Sequence, residues 1–83
     1  MTETMRNDIW TALECWTGET LPYGEYRAVA VRDLLAVTGR DGFDDAALSL
    51  IREGLIGAVW SDVPAAASVT AGNGYFATHL YVA

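Results

Sequence analysis

Between Thr4 and Trp16 the apolar residues Met5, Ile9, Ala12, Leu13 and Trp16 recur at spacings of three and four, which places them on one stripe of a helix and leaves Trp10 off it. Thr17-Gly18 stops that helix. The stretch Thr20-Leu21-Pro22-Tyr23-Gly24 reads as a loop, because Pro22 and Gly24 both interrupt regular structure. Tyr26 to Ala30 admits a brief strand, and Val31, Leu34, Leu35 and Val37 predict a second helix from about Val31 to Thr38, closed by Gly39. After the turn Arg40-Asp41-Gly42, Asp44 is placed as the N-cap of a third helix running to about Glu53, with Phe43 and Leu48 as a hydrophobic staple across its first turn. Leu48, Ile51 and Leu55 form its expected buried stripe, and Gly54 its stop.

Beyond that point the pattern turns to strands. Ile56 to Ser61, with Val59 and Trp60, reads as one strand, broken by Asp62-Val63-Pro64; the run Ala65-Ala66-Ala67 has no decisive period. Asn73-Gly74 is a tight-turn signal ahead of a last strand, Tyr75 to Val82. Strict alternation there separates Phe76, Thr78, Leu80 and Val82 from Tyr75, Ala77, His79 and Tyr81, and one set should face the core.

This order carries a resemblance. The run Val29-Ala30-Val31-Arg32-Asp33-Leu34-Leu35-Ala36-Val37-Thr38-Gly39, a turn, and then Ala47-Leu48-Ser49-Leu50-Ile51-Arg52-Glu53-Gly54-Leu55-Ile56 resembles the second and third helices of a winged helix-turn-helix domain. Glu53-Gly54-Leu55-Ile56 resembles that family's helix exit into the first wing strand. The resemblance implies a small α+β domain over residues 1–83, three helices followed by a β-hairpin, with the third helix as the element that enters a DNA major groove.

The charge pattern redirects the functional expectation. The chain has 83 residues, 52% of them hydrophobic, and eleven acids against five bases give a net charge of -6. That length allows one core, and that charge has the wrong sign for wrapping a phosphate backbone. From Ala30 to Ile56 the arginines Arg32, Arg40 and Arg52 face Asp33, Asp41, Asp44, Asp45 and Glu53, a net of -2, and the expected wing carries no base. The exposed positions of the third helix are expected to be Asp45, Ala46, Ser49, Arg52 and Glu53. A DNA-binding regulator using Arg32, Arg40, Ser49 and Arg52 is therefore the alternative, and duplex DNA the less favoured partner.

Other chemistry finds little support. A calcium loop starting at Asp41 would need ligands at Phe43 and Arg52, which cannot serve. One cysteine, Cys15, and one histidine, His79, are too few for a four-ligand zinc site or an internal disulfide, and Gly72-Asn73-Gly74 lacks the lysine of a phosphate loop. No cofactor motif and no acid-base pair appears, so a non-enzymatic role is expected. The absence of disulfide pairs, of a signal peptide and of an uninterrupted apolar span points to a reducing, cytoplasmic setting without a membrane segment.

From Gly54 onward Asp62 is the only formal charge, while Trp60, Tyr75, His79 and Tyr81 concentrate rings on the last strands. Large amphipathic rings on an uncharged strand suit a protein interface, and these four residues are the candidate partner-binding set; the other reading buries them against the first helix near Trp10. The expectation is thus an acidic protein-binding regulator, with an unknown protein or a second copy as partner. Its small size and acidity suit a phage-encoded inhibitor of a host nucleic-acid-handling or defence complex, which is analogy rather than chemistry.

Overall fold

A computed structural model describes residues 2–65 and 67–83; Met1, and Ala66 of the alanine run, lie outside the described residues. The chain forms α1 (Thr2–Glu14), β1 (Leu21–Tyr23), β2 (Tyr26–Ala30), α2 (Val31–Thr38), α3 (Phe43–Arg52), β3 (Ile56–Ser61), β4 (Val69–Thr70) and β5 (Phe76–Val82). It is a mixed α+β fold in which helices cover one side of an antiparallel sheet. β5 is the central strand. β3 pairs along one edge of it, β2 and β4 pair with it on the other, and β1 extends the sheet beyond β2.

The expected order of three helices and then a hairpin is corrected in one respect: a hairpin, β1–β2, already stands between α1 and α2. Leu21-Pro22-Tyr23 is a strand and not a loop. Pro22 costs no ladder bond at a sheet edge, where its missing N–H has no partner to lose. Gly24, at φ +61, opens the two-residue turn between Tyr23 and Tyr26, and Glu25 keeps a negative φ, the combination that suits a tight hairpin. At the other end of the chain β3 and β5 do pair, with β4 inserted between them in sequence.

The core is one cluster. Met5, Ile9 and Leu13 of α1 meet Val31 and Leu34 of α2, and the group closes over Val29, Ile56, Val69, Ala77 and Leu80 of the sheet. From α3 come Phe43, Ala46, Ala47 and Leu50, at the helical spacing of three, four and seven. This corrects the stripe expected at Leu48, Ile51 and Leu55. Leu48 and Ile51 are only half-buried and Leu55 is exposed, whereas Ala46, expected at the surface, is fully buried. Two alanines on the inner face let α3 approach α1 closely, a contact that larger side chains would hold apart.

The start of α3 is also corrected. Gly42, at φ +76, is the N-cap, Phe43 is the first helical residue and Asp44 the second. Phe43 is buried as the first helical residue and does not precede the cap, so the register expected for a staple with Leu48 does not hold. Asp44 makes no capping hydrogen bond; one of its oxygens stands 3.7 Å from Arg40 and the other has no partner.

A β-bulge reorganises β5. Val59 pairs with His79 but Trp60 pairs with Ala77, so Thr78 is the extra residue. The alternation shifts by one across it. Leu80 faces the core as one parity requires, yet Ala77, assigned to the opposite set by strict alternation, is fully buried as well.

Candidate partner-binding surfaces

The bulge divides the aromatic residues of the last strands between two faces. On the side of the sheet away from the helices, Tyr81 stacks on Tyr26 with ring centroids 4.5 Å apart and meets Tyr23 at 5.7 Å. Tyr23 and Tyr26 are directly cross-strand neighbours on either side of the hairpin turn, and Leu21 lies opposite Ala28. Ala28 is fully buried and yet stands apart from the main core cluster, as expected for a small residue roofed by these rings. Tyr81 also lies over Gly57 of β3, where no side chain intervenes.

His79 belongs to this outer face. It lines a shallow notch with Leu21, Ala28 and Ala30, bordered by the charged Glu19, Arg32 and Asp33, and its Nδ1 is 2.9 Å from the Thr78 hydroxyl. Leu21, Tyr23, Tyr26, Ala28, Ala30, Gly57, Val59, His79 and Tyr81 include no formally charged side chain. Leu21 and Tyr23 remain 46% and 44% exposed, so the tyrosine end of the face is apolar and uncovered, while charged residues border its His79 end.

Trp60 and Tyr75 stand elsewhere. They line a groove of about 450 Å³ with Leu48, Ile51, Arg52, Ala71 and Asn73, between α3 and the turn that leads into β5. The four candidate interface residues are thus two pairs on two faces. Neither pair is buried against Trp10 as a set; Trp10 packs from α1 against the core.

The arginines and Ser49 of the DNA-reading alternative are similarly dispersed. Arg32 sits at the start of α2, 3.7 Å from Asp33, and Arg40 in the turn before α3. Ser49 accepts a hydrogen bond of 2.8 Å from Arg6 of α1 and itself donates toward Glu53 at 3.3 Å. Arg6 and Glu53 form an ion pair and hydrogen bond that lowers the Glu53 carboxyl below its ordinary value and raises Arg6 above its own; the hydrogen bond is the largest cause in both. Arg52 alone of the set has no ion-pair partner among the described residues.

Cys15 lines a separate groove between α1 and the end of α2, so it is not brought together with His79. Among the described residues no three His, Cys, Asp or Glu side chains gather as metal ligands, and no helix is long and apolar enough to cross a membrane. Sequence reasoning missed Leu21, Tyr23 and Tyr26 as part of a site. The signal was present in two tyrosines flanking a two-residue, glycine-containing turn, a spacing that pairs them if the flanks are strands. In comparisons with known proteins, no family model, no curated protein and no solved structure matches the chain.

Proposed function

We propose that this chain is a non-enzymatic protein-binding domain of winged helix-turn-helix type that takes its partner on the outer face of the sheet. The observation that carries this reading is the uncharged, aromatic face built on Tyr23, Tyr26 and Tyr81, which the helices leave open. Stacked tyrosines offer large contact area with little side-chain entropy left to lose, the property of interface anchors. The winged-helix element of the reading is supported by the sheet order β2-β5-β3 with α2 and α3 between the first and the other two in sequence.

The net charge of -6 over the whole chain favours a partner with a basic surface, a property common among proteins that handle nucleic acid. Reading of duplex DNA by α3 has less support. Ser49 is engaged by Arg6, and Arg32 and Arg40 each lie beside a carboxylate.

The test is a double variant, Leu21→Ser/Tyr23→Ser, at exposed positions. It should remain folded, with at most a modest drop in melting temperature from the lost Tyr23–Tyr81 contact, and lose a partner that the parent captures. A variant that folds and still holds the partner, or submicromolar duplex binding by the parent near physiological salt, would overturn the reading.

A further inference from the structure

The groove under α3 has a chemistry distinct from the outer face. Its walls are apolar, with Leu48 and Ile51 on one side and Trp60 and Tyr75 on the other, and its single charged residue is Arg52. Trp60 is 40% exposed and Tyr75 51%. Arg6, Arg32 and Arg40 each stand beside a carboxylate, whereas among the described residues Arg27 and Arg52 have no ion-pair partner, and of these two only Arg52 lines the groove, in a chain with more than twice as many acids as bases. A guanidinium without an ion-pair partner among the described residues, in the same groove as two exposed rings, is complementary to an apolar side chain next to a carboxylate.

The chain itself displays that pair just beyond Trp60. Asp62 is exposed, makes no ion pair among the described residues, and is the only formal charge after Glu53. Val63 beside it is the most exposed of the large apolar side chains, at 66%. The Val63 N–H donates to the Ser61 hydroxyl at 3.1 Å, and Pro64 follows with its restricted φ, so the tip is stiffened before any partner arrives.

We propose that the groove is occupied by the Asp62-Val63 tip of a second copy, in a two-fold dimer where Val63 enters between Trp60 and Tyr75 and Asp62 pairs with Arg52. Tip and groove share the end of β3, so an axis passing near Trp60 makes both contacts twice and closes the assembly at two chains. One tip and one groove per chain form an interface below the roughly 800 Å² per partner of a standard complex, so a reversible, concentration-dependent dimer is expected. The inference goes beyond the outer-face reading, since it uses a different face and a different occupant.

Sedimentation equilibrium of the whole chain, over roughly 10–500 μM and at fixed salt, tests it. The parent should be in monomer-dimer exchange. Arg52→Glu and Asp62→Arg should each weaken association by about tenfold or more, and the double variant, which restores opposite charges, should recover it to within about threefold. Val63→Ser should weaken it with every charge in place. Melting curves establish that each variant is folded, which exposure of these three residues favours. A parent monomeric throughout, single variants that dimerise like the parent, or a double variant as monomeric as the singles would overturn the dimer. Loss of another protein on Arg52→Glu in a chain that stays monomeric would assign the groove to that protein and also overturn it. None of these outcomes touches the Leu21 and Tyr23 test, so the two readings fail separately.

Discussion

The Tyr81 ring lies directly over Gly57, its cross-strand partner, and occupies the space that a Cβ at position 57 would need. Glycine in the interior of a strand normally weakens it, and here it is the absence of a side chain that lets the tyrosine lie flat and reach Tyr26. Gly57→Ala should therefore destabilise the fold by about 1–3 kcal/mol, since the ring must leave its stack. In a double-mutant cycle with Tyr81→Ala the two losses should sum to more than the combined variant shows. Additive losses in thermal or urea melts would mean that the ring does not depend on the glycine.

The bulge at Thr78 predicts which residues of β5 tolerate polarity. Leu80→Ala should cost about 2–5 kcal/mol, as for other fully buried leucines. Ala77→Asp should cost at least as much as a typical buried unpaired polar group, several kcal/mol, because the bulge turns position 77 inward. Strict alternation predicts instead that an aspartate at 77 points to solvent. Denaturant melts of the two variants separate these cases.

At the start of α3 the sensitive position is the glycine rather than the aspartate. Gly42→Ala forces an alanine to φ +76 and should cost about 1 kcal/mol or more. Asp44→Ala removes a first-turn carboxylate that caps nothing, and should cost roughly 0.3–1 kcal/mol through the helix dipole. The reverse ranking in thermal melts would restore Asp44 as the cap.

The Arg6–Glu53 contact gives stability a definite acid dependence. Because folding lowers the Glu53 carboxyl, the contact stabilises the native state above the ordinary carboxylate range, and that contribution disappears as pH falls through the depressed value. Glu53→Gln should accordingly melt below the parent at neutral pH and converge with it in acid. A constant gap from neutral to strongly acidic pH would show that the loss is one of packing.

Local signals in the chain were strong where one element follows its own pattern. β2 at Tyr26–Ala30, α2 at Val31–Thr38 and β3 at Ile56–Ser61 stand where period and flanking glycines place them. What escaped depends on distant partners. The inner face of α3 is written in Ala46 and Ala47, whose value lies in how near α1 can come, and hydropathy weights them less than Leu48 or Ile51. Thr78 carries no mark of a bulge, because the extra residue is defined only against β3. That one residue separates Tyr75 and Trp60 from His79 and Tyr81, so the candidate interface was legible as a set of rings and illegible as a surface.

The edge position of β1 has a dynamic consequence. All three of its residues are exposed, its ladder is with β2 alone, and Pro22 contributes no amide to it. Such a strand opens at a small fraction of the free energy needed to unfold the whole domain. Amide hydrogens at Leu21 and Tyr23 should exchange far faster than those of β5, and a ligand resting on Tyr23 would slow them without altering protection in the core. The hairpin is then a flap that can lift from Tyr81 and settle again while the helices remain in place, so occupancy of the outer face would be written first in the exchange rates of its most weakly held strand.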